Sequence, residues 1–459
     1  MLTYSISKES KQPLYEQLYD KLRDDMLRGR LSGGEKLPSK RALAEHLGIS
    51  KITVETAYAQ LLAEGYIVSR ERSGYFVAKL LPGILPEERI PRPRSSPEEP
   101  EPPASVSAQL FPYSVWARLM RGVILDKEAN LLRPVPAAGI YGLRRAIADE
   151  LRRDRGMNVR PEQVVIGAGA EYFYSLLAQF LGRDRIFAFE EPFHRTIYRA
   201  YTMNGAQVAC VGMDGSGMLL EELRASGASE AHLSPSHHYP SGIVMPITRR
   251  REIDRWLSES PERFVIEDEY DSEFTFSGRM IPTMQSMDAT GRVIFMNTFS
   301  KTIAPTLRIS YMVLPEGLIG RWQERMGFYS CAVPSFEQLT LARFLDEGYY
   351  ERHLRRMRKH YRQVRRQLME LLSAEPLRSF CAAAQPEAGL HFLLRLRTDA
   401  DEPRLRNALR EAGLNAPLLA DHYRSDPPQS ARGRIVIQYS NIEPETLKAS
   451  LLRLMELLR

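Results

Sequence analysis

Residues 82–103 read PGILPEERIPRPRSSPEEPEPP, and they divide the chain before any element is assigned. Eight of the 22 are proline, and most of the rest are charged or small. Such a run has too few apolar side chains to bury and too few amide donors for a helix or sheet, so it favours extended conformations. At roughly 3 Å per residue it reaches about 60 Å. The chain is 459 residues long, enough for two or three domains. We take 80–107 as a linker between a first domain at 10–79 and a second at 108–459.

Composition narrows the setting. Apolar residues make up 43% of the chain, ample for sizeable cores. The net charge of +6 is only mildly basic. Residues 1–80 carry 13 Lys and Arg against 10 Asp and Glu, so any nucleic-acid contact must come from placement rather than bulk charge. Cys210, Cys331 and Cys381 are odd in number and far apart, which gives neither a disulfide framework nor metal spacing. The first 22 residues lack a signal-type apolar core, and no uncharged run of roughly 18 residues exists for a membrane span. A soluble, cytoplasmic protein with no membrane partner is expected.

Before the proline run, Leu14, Leu18, Leu22 and Met26 repeat at helical spacing. Ser39 reads as the N-cap of a helix over 40–47 that Gly48 ends. Ser50 caps a second helix over 51–64 that Gly65 closes. Tyr66–Val68 and Tyr75–Val77 read as two strands joined around Ser73-Gly74. Helix, helix, turn, helix, hairpin is the order of a winged helix-turn-helix. The stretch Leu37–Tyr58, with the wing Ser73–Val77, resembles the gntR family of bacterial repressors over residues 11–78. That resemblance implies double-stranded DNA as a partner. Ser39 and Arg41 would meet phosphates or base edges. Ser50, Lys51 and Thr53 would open a recognition helix in the major groove, and Gly74 would let the wing near the minor groove. Lys51 stands where many members carry arginine. An ammonium cannot grip guanine bidentately, so a phosphate role is expected for it.

After the run, helical and strand patterns alternate from Leu143 to Asn297. Helices are expected over 143–153, 171–180 and 249–259, and strands over 163–166, 185–189, 230–233, 264–267 and 293–297. This predicts an α/β domain with a parallel sheet covered on both faces. The last hundred residues carry a long basic helix over 349–372, strands near 391–396 and 434–438, and a terminal helix, and so read as a smaller α+β domain.

One constellation carries chemistry. The apolar strand Phe264-Val265-Ile266 ends in Glu267-Asp268-Glu269-Tyr270-Asp271. Lys301 follows 33 residues after Asp268 in Thr298-Phe299-Ser300-Lys301-Thr302, with Arg308 seven further on. A lysine near a buried carboxylate suits pyridoxal 5'-phosphate (PLP): the amine takes the aldehyde as a Schiff base and the acid keeps the pyridine nitrogen protonated. These residues resemble fold type I aminotransferases. By that resemblance Lys301 is the Schiff-base lysine, Asp268 the ring-nitrogen partner and Tyr270 the partner of the ring hydroxyl. Thr298, Ser300 and Arg308 bind the phosphate, helped by the helix that opens at Gly169-Ala170. Phe193 stacks on the ring, with His194 as the alternative. Tyr239 replaces an asparagine found in transaminases. Val436 stands where their carboxylate-gripping arginine lies. Arg434, two residues earlier on the same strand face, and Arg195 are the candidates to meet an effector carboxylate. Adjacent His237 and His238 point apart with no third ligand evident, so no metal is expected.

A gntR-type reader joined by a proline-rich linker to an aminotransferase-like domain resembles the MocR (GabR-like) regulators over nearly the whole chain. This implies a homodimeric, PLP-dependent transcriptional regulator that responds to a small amino compound, with no need for full turnover. The alternatives are a working aminotransferase with a DNA-binding appendage, a regulator that senses PLP itself, and a large domain that serves only for dimerisation.

Overall fold

The computed structural model describes residues 2–7, 10, 12–71, 73–79, 110–126, 131–276, 281–384 and 388–459. The expected linker at 80–107 lies outside the described residues. The chain divides into two compact units, Met1–Glu101 and Pro102–Arg459.

The first unit holds α1 (Leu14–Leu27), α2 (Lys40–Leu47), α3 (Lys51–Ala63) and the hairpin β1 (Ile67–Arg70) and β2 (Gly74–Val77). Its boundaries follow from local chemistry. The Ser39 hydroxyl accepts from the Ala42 amide at 3.2 Å, and the Ser50 hydroxyl from the Thr53 amide at 3.1 Å. Both meet amide donors that a helix start leaves unpaired. Gly48 ends α2 at φ 65°, a conformation glycine adopts without a Cβ penalty. Leu18, Leu22, Leu43, Val54, Ala57, Tyr58 and Leu61 form the core, and the Tyr58 hydroxyl donates to the Pro38 carbonyl at 3.0 Å. The winged helix-turn-helix is present as expected.

The second unit is built on an eight-stranded sheet. Its strands are β3 (Val164–Gly167), β4 (Ile186–Glu191), β5 (Gln207–Asp214), β6 (Gly217–Met218), β7 (Glu230–Leu233), β8 (Phe264–Asp268), β9 (Val293–Thr298) and β10 (Ser310–Val313). They lie in the order β3-β10-β9-β8-β7-β4-β5-β6. Pairs from β5 through β4, β7 and β8 to β9 are parallel. The sheet is nevertheless mixed, which corrects the all-parallel expectation. β10 runs antiparallel to both β9 and β3, and β6 antiparallel to β5. The segment from Thr298 to Ser310 is too short for a crossover helix, so the chain doubles back. That short return is the loop that carries Lys301. Separate apolar clusters flank the sheet, one around Leu143, Ile147, Phe295 and Phe344 and another around Phe173, Leu177, Phe187 and Trp322.

A smaller lobe closes the chain. β11 (Cys381–Ala383), β12 (His391–Leu396) and β13 (Arg434–Gln438) form an antiparallel sheet. It packs with the helices Tyr349–Leu372 and Pro444–Leu457 around Leu368, Leu394, Ile435 and Leu451. Among the described residues no helix is long and apolar enough to cross a membrane.

Candidate functional site

A cavity of about 290 Å³ opens at the C-terminal ends of the parallel strands, where open α/β sheets place their ligands. β8 delivers Asp268 to it. The strand is buried throughout because helices cover both faces, and its last residue carries the carboxylate to the rim. Asp268 Oδ2 accepts from the Tyr174 hydroxyl at 2.7 Å and meets His232 Nε2 at 3.2 Å. His232 Nδ1 in turn meets the Tyr201 hydroxyl at 3.1 Å. Among the described residues both of these contacts fall on Oδ2, and Asp268 lines the cavity. This buried Tyr201–His232–Asp268 relay fixes the carboxylate in place.

The loop after β9 supplies the opposite side. Lys301 lines the cavity together with Thr298 and Ser300. The Thr298 hydroxyl bonds that of Ser300 at 3.0 Å and accepts from the Ser300 amide at 3.2 Å. The Phe299 amide donates to the Ile309 carbonyl at 2.9 Å. The loop is therefore held at both feet. Arg308, at its far end, is the one non-glycine residue with positive φ (50°) among the described residues. This turn aims its guanidinium at the start of the helix Ala170–Leu181. There it pairs with Glu171 at 2.5 Å; against the opposing effect of burial, a hydrogen bond from its own backbone amide and then Arg308 hold the Glu171 carboxyl below its usual range.

That helix start is shaped for an anion. Gly169 is its N-cap at φ 94° and has no side chain to occupy the first-turn amides. A Cβ at 169 would stand 2.3 Å from Arg308 Nη2. A helix N-terminus and a guanidinium therefore converge where the resemblance implies a phosphate. Ala170 lines the cavity beside them.

Tyr270 and Tyr239 form another wall. The Tyr270 hydroxyl lies 3.1 Å from His391 Nδ1 and 3.4 Å from His237 Nδ1. Tyr239 packs edge-on against His391 and His422, at ring distances of 5.1 and 5.3 Å. Of the two candidates for the ring face, Phe193 is the more buried. It is 7% exposed, stacks on Tyr198 at 5.1 Å, and donates its amide to the His422 carbonyl at 2.9 Å. His194 caps the next helix through Nδ1 and approaches Tyr239 at 5.0 Å. Both line the cavity, but His194 is the one exposed toward open space.

The two arginines assigned to an effector are not brought to the wall. Arg195 is exposed at the first turn of its helix, and Arg434 is half-buried near Tyr423. Val436, on the same face as Arg434, is buried against Leu393 and Leu419. The next residue along that face, Gln438, is the one that reaches the cavity. Lys301 and Arg308 are the only lysine and arginine among the described lining residues.

Sequence reasoning passed over several other groups. Tyr174, His232 and Gln438 are three. Glu190 is another: buried on the cavity wall, it accepts from the Ser234 amide at 2.9 Å. Burial pushes its carboxyl up to about 7. A hydrophobic side chain is the last. Ile52, in the first turn of α3, is 73% exposed. An exposed aliphatic there suits a thymine methyl. Beside it, Lys51 Nζ lies 3.6 Å from Glu55, and Arg41 pairs with Glu45 at 2.9 Å. Ser39, Ser50 and Thr53 all take part in helix capping, and the wing glycine Gly74 has φ 104°.

Comparisons with known proteins agree with both halves. Residues 14–77 match bacterial regulatory proteins of the gntR family, and residues 110–451 match aminotransferase class I and II. The chain is 35% identical to the HTH-type transcriptional regulator YdeL of Bacillus subtilis, over 91% of each chain. It is 31% identical to the probable rhizopine catabolism regulatory protein MocR of Rhizobium meliloti, over 96% of this chain and 93% of that one. It is 29% identical to the pyridoxine biosynthesis transcriptional regulator PdxR of Corynebacterium glutamicum, over 94% and 93%. An archaeal alanine:glyoxylate aminotransferase shares the fold of the second unit with a TM-score of 0.67 at 23% identity, covering 76% of this chain and 88% of that one.

Proposed function

Because the chain belongs to the MocR-like subfamily of gntR-type transcriptional regulators, with a class I and II aminotransferase domain after the reader, we propose that it binds operator DNA through α3 and holds PLP in the cavity of its second unit. The reader is placed at 10–79, the linker at 80–107 and the PLP domain at 108–459, in a cytoplasmic homodimer. The observation that carries this reading is the convergence on one cavity of Lys301, Asp268 held through Oδ2 by Tyr174 and His232, and the anion cradle formed by Arg308 and the Gly169 helix start.

Each residue has a task. Lys301 would bond the aldehyde carbon. Asp268 would hold a proton on the ring nitrogen, oriented by His232 and Tyr174. Tyr270 would meet the ring hydroxyl. Thr298, Ser300, Arg308 and the amides from Ala170 onward would take the phosphate, with Glu171 released from Arg308. His194 rather than Phe193 would lie against the ring. When bound, the cofactor supplies an aldehyde that exchanges Lys301 for another primary amine. A small amino compound is therefore the proposed effector, and displacement of Lys301 is the event that biases the protein between states of different DNA affinity. Among the described lining residues Arg308 is the one arginine, and Val436 stands at the position of the transaminases' carboxylate-gripping arginine, which supports sensing over transamination.

The test is the visible absorption of the purified protein with added PLP, for wild type and Lys301→Ala. A band present only in wild type supports the reading. Identical spectra would overturn it.

A further inference from the structure

We infer that the Tyr270 hydroxyl, through His391, couples occupancy of the cavity to the position of the C-terminal lobe. The inference rests on the PLP reading and adds how the signal leaves the site.

Residues 389–391, which lead into β12, are fastened to residues 270–274 of the core. The Leu390 amide donates to Asp271 Oδ2 at 2.8 Å, and the Gly389 amide donates to the Phe274 carbonyl at 2.8 Å. His237 Nδ1 lies 3.1 Å from each Asp271 oxygen. The His237 and His391 rings are 4.2 Å apart. The approach is so close that only glycine fits at 389, where φ is 74° and a Cβ would come within 1.8 Å of His237 Nδ1. The His391–Tyr270 bond joins the lobe to a side chain that lines the cavity, beside Tyr239, whose ring packs edge-on against His391 at 5.1 Å.

A phenol hydroxyl has one proton and two lone pairs. His391 and His237 already approach that of Tyr270 from behind. A ring oxygen that accepts the single Tyr270 proton from the cavity side would withdraw it from the histidines, so the bond to His391 must readjust, and β12 with it. By reciprocity, loosening that bond must alter affinity for whatever engages Tyr270. His391 is thus a positioning residue for Tyr270. The same side chains, His237, Asp271 and His391, offer ligand atoms within 4.8 Å of one another, so a bound cation is the competing use of the cluster.

The experiment uses the full chain with PLP as the probe. Hydrogen–deuterium exchange is followed over β12 and β13, with and without PLP, in wild type, His391→Phe and His391→Gln. PLP affinity is read from the absorption band that depends on Lys301. In wild type, PLP changes exchange in β12 at least threefold. His391→Phe abolishes that response and shifts PLP affinity by about threefold to tenfold, the worth of one hydrogen bond. His391→Gln, which keeps a polar group, restores part of it. If His391→Phe does not fold, Tyr270→Phe removes the same bond from the other side and must silence β12 alike. A His391→Phe protein whose lobe responds as wild type does would overturn the coupling while leaving the PLP reading intact. Stoichiometric metal in the purified protein would overturn it in favour of a cation site. A wild-type protein with no Lys301-dependent band would overturn both.

Discussion

A single methyl group at position 169 would close the anion end of the cavity. It would meet the Arg308 guanidinium at 2.3 Å and force a non-glycine residue into φ 94°. We expect Gly169→Ala to weaken PLP binding at least tenfold in an absorbance titration; wild-type affinity would contradict the cradle. Glu190 gives a second residue-scale expectation. Its folded carboxyl is raised from an ordinary 4.5 to about 7 by burial. Its protonated form therefore stabilises the fold fully below pH 4.5, and that contribution is lost as pH rises through 7. The amount is on the order of 3 kcal/mol. Thermal melts from pH 5 to 8 should show a smaller fall in stability for Glu190→Gln than for wild type, and equal slopes would count against it. Asp268 and Lys301 were legible because an acid at a strand end and a lysine in a hydroxyl-rich loop are local patterns. Their supports were not. Tyr174 lies 94 residues from Asp268, and His391 lies 121 from Tyr270. Arg434 was placed on the correct strand face, but pattern alone does not say how deep a face runs, and Gln438 rather than Arg434 reaches the cavity.

At the scale of elements, the reader was legible almost to the residue because its boundaries are chemical. Ser39, Gly48 and Ser50 end or start helices by local hydrogen bonds and backbone preference. We expect Ser50→Ala to cost about 1 kcal/mol of stability in the first unit, measured by denaturant melts, and to weaken all DNA binding with it. Ile52→Ala should behave differently. Ile52 is too exposed to support the core, so stability should hold while the ratio of operator to random-sequence affinity falls by about fivefold to tenfold. A uniform loss on all sequences would argue against a base-edge contact. β5, β6, β10 and β11 were not legible. They are short or half-buried, and β10 owes its antiparallel direction to the brevity of the Lys301 loop, a length constraint that periodicity does not register.

For the whole molecule, two compact units on one chain should melt separately. Ligand that binds only the second unit stabilises it in proportion to the logarithm of its concentration over Kd, about 2.7 kcal/mol at a hundredfold excess. In calorimetry PLP should move one transition and leave the other in place. The central claim is that chemistry at Lys301 alters DNA affinity. Fluorescence anisotropy on DNA from upstream of the chain's own gene tests it most directly, comparing wild type and Lys301→Ala with no addition, with PLP, and with PLP plus a panel of primary amines. The account predicts an affinity change of at least about fivefold in wild type and none in Lys301→Ala. A change with PLP alone would assign the signal to the cofactor, and a need for an amine would assign it to the amino compound. Superimposable curves for the two proteins under every condition would contradict the account.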